Sequence, residues 1–185
     1  MIEKYLISQC SPTLASLKTG SLFTVYSYDI NSLKDDIEYW NNKLQNKLLN
    51  LTMLKYKNGK ALVYLYRKNK LKKDFEKSGV ESFMKSKGYK NIDIDDAISV
   101  LEQKLYLDNE FPHEIGLFLG YPLGDVIGFI KNSGQNSKCD GCWKVYCNEY
   151  EAIKTFKKFR KCKDIYKRLW NEGKSILQLT VDREA

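Results

Sequence analysis

His113 is the only histidine of this 185-residue chain, so any imidazole chemistry falls to it alone. It stands between Pro112 and Glu114. Adjacent residues of a strand point to opposite faces, so Glu114 would not orient the ring if the segment is extended. A second reading has the ring bonded to a backbone carbonyl at a strand entrance. Cys10 precedes Ser11 and Pro12, a pair suited to capping and opening a short helix. A thiol at a helix N-terminus sees the positive end of the dipole, which favours thiolate. Cys10 and His113 are therefore the candidate catalytic pair, nucleophile and proton carrier. Nothing in the spacing places them together, and the plainer reading of Cys10 is a small hydrophobe ending a first strand.

Four more thiols occur, Cys139, Cys142, Cys147 and Cys162. Cys139 and Cys142 have the two-residue gap of a zinc clasp. A second such pair is missing, and Cys142 and Cys147 would lie on opposite faces of a strand between them. No stoichiometric metal is expected, and these two are the candidates if one binds. Tyr121-Pro-Leu-Gly-Asp125 joins two elements where anions often meet free backbone N–H groups, yet no phosphate-loop pattern is present. Asp125 in a first helical turn would repel phosphate. A ligand site, if there is one, would gather Lys18, Glu114, Tyr121, Asp125 and Lys144 around Cys10 and His113. No cofactor is implied by any motif.

These residues need elements to hold them. Residues 21–28 are β-branched and aromatic and predict a strand. Ser32 to Asp35 resembles a capping box opening a helix to about residue 49, with Ile37, Trp40, Leu44 and Leu48 at helical spacing. Residues 51–57 and 60–67 flank Asn58-Gly59, the dipeptide of a type I′ turn, and predict a β-hairpin. One or two short polar helices over 69–87, broken near Gly79, precede a helix capped by Asp93 or Asp95 and carrying Ile98, Leu101 and Leu105. The apolar run 114–120 reads as a buried strand. Pro122 opens a helix to about Asn132, with Gly124 and Gly128 on one face for close packing. Residues 142–147 read as a strand, 149–171 as a long helix, and 175–181 as a last short strand. The mixture predicts an α+β fold, one domain over 1–185, with a mixed or antiparallel sheet covered by several helices.

Composition narrows the class. Hydrophobic residues make up 43% of the chain, enough for a packed core and against wholesale disorder. No apolar run is long enough to span a membrane, and the first ten residues lack a secretory pattern. An odd number of cysteines without an export signal argues for reduced thiols and a cytoplasmic protein. The net charge of +8 invites a nucleic-acid reading, but 27 of the 31 basic residues are lysine and only Arg67, Arg160, Arg168 and Arg183 are arginine. Specific base recognition favours arginine, so specific nucleic-acid binding is not expected. The abundance of Lys, Asn, Tyr and Ile also looks like the coding bias of an AT-rich genome.

Three segments carry a family resemblance. Phe111-Pro-His-Glu-Ile-Gly-Leu-Phe-Leu-Gly-Tyr-Pro-Leu-Gly-Asp-Val-Ile-Gly-Phe-Ile130 resembles the signature of an uncharacterised domain family of anaerobic Gram-positive bacteria, a domain of unknown function. Cys10-Ser-Pro-Thr-Leu-Ala15 with Lys18, and Gly141-Cys-Trp-Lys-Val-Tyr146, resemble the same family in the expected order. The resemblance implies a single family domain along the whole length. It implies no activity, cofactor or catalytic residue.

Three functions remain open. The first is a cytosolic small-molecule- or cofactor-binding protein, catalytic or not. The second is an interaction or regulatory module whose tyrosines and lysines meet an acidic protein partner. The third is weak nucleic-acid binding through the basic helix near 154–168. A concave site with convergent polar groups would favour the first.

Overall fold

The computed structural model describes residues 2–107 and 111–182. Its centre is a three-stranded antiparallel sheet. Strand β1 (Gly20–Tyr26) and strand β2 (Asn50–Lys57) flank strand β3 (Lys60–Tyr66) in the order β1-β3-β2. The β2–β3 hairpin turns at Asn58 and Gly59, whose φ angles of +51° and +71° are those a type I′ turn requires. Side chains alternate along β3. Ala61, Val63 and Leu65 enter one apolar core and Tyr64 and Tyr66 enter another, so the sheet is buried on both faces. A bulge between Met53 and Lys55 re-aims β2. It leaves Leu54 in the second core, while Lys55 beside it donates from Nζ to the Leu105 carbonyl.

Helix α1 (Glu3–Leu14) and helix α2 (Ile30–Leu44) cover the first face, with a 3-10 turn at Gln45–Lys47 after α2. The long helix α8 (Glu149–Asn171) lies against α1, and the short α9 (Ile176–Leu179) closes the layer. On the second face stand α3 (Lys68–Phe75), α4 (Val80–Ser86), α5 (Ile94–Leu107), α6 (Ile115–Phe118) and α7 (Leu123–Lys131). A two-stranded ribbon, β4 (Cys139–Asp140) with β5 (Lys144–Val145), sits beside α7. The protein is α+β, and among the described residues no helix is long and apolar enough to cross a membrane.

Several elements differ from expectation. The N-terminal segment is a helix rather than a strand, because Ile2, Leu6, Cys10 and Leu14 recur every four residues and are all buried. Pro12 lies inside that helix instead of opening one, and Ser11 Oγ donates to the Ile7 carbonyl rather than capping. Residues 114–120 are not a strand. Ile115–Phe118 form a single helical turn buried on all sides, where an apolar run has no periodicity to read. The tail is helical too, since Ser175 and Gln178 close a capping box around α9. Asp29, not Ser32, caps α2, and Asp93 accepts from the amides of Asp95 and Asp96 at the start of α5. Only Lys144 and Val145 of the expected strand 142–147 pair.

Gly124 and Gly128 do permit a close approach, though to the ribbon and not to the central sheet. A Cβ on Gly128 would fall 2.4 Å from Tyr146 Cγ, and one on Gly124 would fall 2.4 Å from Cys147 Sγ. Arg67 ties the first layer together at the end of β3. It is 1% exposed, and its guanidinium donates to the carbonyls of Thr13, Leu14, Lys47 and Val181. The end of α1, the turn after α2 and the C-terminal segment thereby share one cation.

Candidate functional site

Lys18 follows α1 in a tight turn. Ser16 takes a left-handed φ of +58°, and the amides of Leu17 and Lys18 both donate to the Pro12 carbonyl. This turn carries the Lys18 ammonium over the ring of Tyr121, 5.3 Å from its centroid. Lys18 makes no ion pair with a described residue. Burial pushes its pKa down from 10.5 to about 8, although Cys10 and Cys142 favour the charge and Lys163 opposes it.

Two hollows open at Lys18. The larger is a cleft of about 500 Å³ between the α1–β1 turn, α3, the α6–α7 junction and the start of α8. Lys70, Lys73 and Lys77 line it with Lys18, and Tyr121, Trp143 and Phe159 supply apolar wall. Two of its three acids, Asp74 and Asp125, already hold donors, and the third, Glu151, has a cation in ion-pair range. Asp74 accepts from Thr19 Oγ1 at 2.5 Å and from Lys77 Nζ, and Glu151 stands 4.0 Å from Lys154. The smaller hollow, about 240 Å³, is lined by Gln9, Lys18, Ser21, Tyr121, Cys142 and Lys163, with no carboxylate among its lining residues. Anions are favoured in such a place because the local charge is uncompensated.

Tyr121 and Trp143 stack, with ring centroids 4.9 Å apart and planes inclined by 27°. The Tyr121 hydroxyl donates to the Cys142 carbonyl at 3.2 Å, and burial raises its pKa to about 12. Trp143 meets Phe156 of α8 edge-on at 4.6 Å. A third hollow of about 400 Å³ shares this aromatic wall. It is mostly apolar and includes His113, Phe129, Val126 and Lys144.

Asp125 borders both larger clefts, yet its carboxylate is fully engaged. Oδ1 accepts from the backbone amides of Tyr146 and Cys147, each at 2.8 Å, and Oδ2 accepts from Trp143 Nε1 at 2.8 Å. Asp125 therefore fastens the ribbon to α7 and holds Trp143 in the wall.

The candidate residues divide accordingly. Lys18, Tyr121 and Asp125 come together at the larger cleft; His113, Tyr121, Asp125 and Lys144 border the apolar one. Lys144 Nζ donates to the Gly134 carbonyl. Glu114 turns away from the clefts, 4% exposed, and takes Lys104 at 2.6 Å and the Tyr89 hydroxyl at 3.3 Å. Cys10 and His113 are not brought together. Cys10 is enclosed in the first core, where burial pushes its thiol up to about 12, the opposite of an activated nucleophile. His113 is exposed beside Phe129, 4.9 Å between rings. Cys139 is half-buried on β4 and Cys142 is exposed. Among the described residues no three His, Cys, Asp or Glu side chains assemble to hold a metal. Trp143 and Lys163 border the site without having been anticipated. An aromatic beside basic residues in a short apolar stretch carries no signal of its own.

No curated protein and no solved structure matches the chain. A family model described as protein of unknown function (DUF3793) matches residues 6–180, and the chain belongs to this family.

Proposed function

We propose that the protein binds a small anionic molecule with an apolar or aromatic body. The anionic group sits in the hollow beside Lys18 and Lys163, and the body lies in the larger cleft along Tyr121 and Trp143. The observation that carries this reading is the Lys18 ammonium, placed between two hollows without an acidic partner among the described residues. A partly buried cation costs solvation free energy that a bound anion would offset. The lining is consistent with ligand sites in general, apolar walls with a few convergent polar groups. We place the protein in the bacterial cytoplasm, as a single domain over 1–185; its five free thiols support a reducing compartment. No group is assigned a catalytic step.

Titration calorimetry with inorganic phosphate, pyrophosphate, citrate and a nucleoside monophosphate tests the proposal. At least one of these probes binds one-to-one at neutral pH, and Lys18→Met abolishes its heat. Binding unchanged in Lys18→Met, or no heat from any probe at millimolar concentration, overturns it.

A further inference from the structure

Helix α8 has two unlike faces. Ala152, Phe159, Cys162 and Tyr166 are buried, whereas Lys154, Lys157, Lys158, Arg160, Lys161, Lys163, Lys167 and Arg168 are all exposed. Eight of the chain's 31 basic residues and only one of its 23 acidic residues fall within 154–168, and even with Glu149 and Glu151 in its first turn the helix keeps five of the eight units of net positive charge. Two of the eight are paired, Lys154 with Glu151 and Arg168 with Glu172. The other six make no ion pair with a described residue, and Asp164 makes none either. Ordinary solvated helices intersperse both signs and form pairs one turn apart.

We propose that the outward face of α8 docks double-stranded nucleic acid by its phosphate backbone, without reading bases. At 1.5 Å per residue the cationic stretch is about 21 Å long, and duplex DNA carries about one charge per 1.7 Å of axis, so roughly a dozen phosphates lie alongside. Six of the eight cations are lysines, point charges suited to a row of phosphates, and of the two arginines, whose planar fork reads guanine or clamps a carboxylate, Arg168 already stands against Glu172. An anionic membrane is less suited. Exposed apolar residues are confined to Tyr150 and Ile153 near the start of the helix, and the rest of its apolar stripe is buried or half-buried against the body of the protein. A single strand would need a series of exposed aromatic platforms, and only Tyr150 stands on this helix as one. An acidic protein would have to match many evenly spread cations with carboxylates of its own.

Fluorescence anisotropy with labelled duplexes of two unrelated sequences tests this docking. With about five phosphates neutralised, a log–log plot of affinity against salt falls with a slope of about −4.5, alike for both sequences. Lys157→Gln, Lys158→Gln and Lys161→Gln together bring the slope to about −2 and weaken binding at least tenfold at low salt, with the melting temperature unchanged. Lys18→Met leaves duplex binding intact, which separates this surface from the cleft. A flat salt dependence overturns the proposal, as does a triple variant that binds like the parent. So does tighter binding to single strands, to polyglutamate or to phosphatidylserine vesicles than to the duplex.

Discussion

Replacing Asp125 by Asn isolates the fastening of the ribbon. The native carboxylate accepts three hydrogen bonds, two from the amides of Tyr146 and Cys147 and one from the Trp143 indole. An asparagine has one accepting oxygen. Turned toward the two amides, it presents its own NH₂ to the indole N–H, donor against donor; turned the other way, it opposes two amides. The better orientation loses one bond to a charged acceptor, about 1.5–2 kcal/mol. Asp125→Ala strips all three donors and costs about 4–5 kcal/mol if each counts at about 1.5. The ribbon is held mainly through these bonds and its packing on α7, so the loss is expected locally before it is expected globally. Hydrogen exchange read by mass spectrometry gives the assay. In Asp125→Asn, amides of residues 138–147 lose about tenfold to thirtyfold in protection, since about 1.4 kcal/mol is a factor of ten, while β3 is unchanged. Ligand binding in the larger cleft weakens in parallel because Trp143 loses its anchor. Unchanged protection in the alanine variant would refute the reasoning, as would equal loss throughout the chain.

Arg67→Met leaves the carbonyls of Thr13, Leu14, Lys47 and Val181 without the guanidinium, and a melting temperature lowered by about 10 °C is expected from roughly 3–5 kcal/mol; scanning calorimetry measures it. Lys18 makes the opposite case. Its folded pKa of about 8 lies below the ordinary 10.5, so the unfolded chain binds more protons between those values, and stability from this group rises with pH across that window. Lys18→Met is therefore more stable than the parent at pH 7, by thermal melts, although it no longer binds an anion. In the parent, anion binding read by calorimetry is strongest below about pH 8 and fades as pH rises through it. With a thiol-reactive dye, Cys142 and Cys147 label first, Cys139 follows, and Cys10 and Cys162 react only on unfolding; fast labelling of Cys10 in the native protein would contradict its enclosure.

Local chemistry made part of the fold legible. The Asn58-Gly59 hairpin and the long helix over 149–171 announce themselves because turn preference, period and capping all agree there. The segment 115–118 does not, because a short run buried on every side has neither the period of a strand nor that of a helix. At the N-terminus, Ser11-Pro12 resembles a helix start, whereas the helix is carried by the four-residue spacing of Leu6, Cys10 and Leu14 and runs through that proline. The site was partly legible. Lys18, Tyr121 and Asp125 were singled out, yet their meeting depends on how the α1–β1 turn faces the α6–α7 junction, which is a property of tertiary packing alone. Asp125 looked like a repellent for phosphate because its sequence neighbours do not reveal the three donors that occupy it.

The sheet and α2 lie within residues 20–66, whereas the first core is completed only when α1 meets α8 from the opposite end of the described chain. Contacts of short separation close cheaply and early, and loop closure over most of the chain delays the last ones. The hairpin and β1 are thus expected to form the folding nucleus, with the seam between α1 and α8 closing after the barrier. Leu6→Ala and Tyr166→Phe are then expected to speed unfolding and to leave the folding rate nearly untouched in stopped-flow chevron measurements, and a slowed folding limb would contradict this order. On that order, the lifetime of the native protein would be set by a contact that plays little part in how fast it is reached.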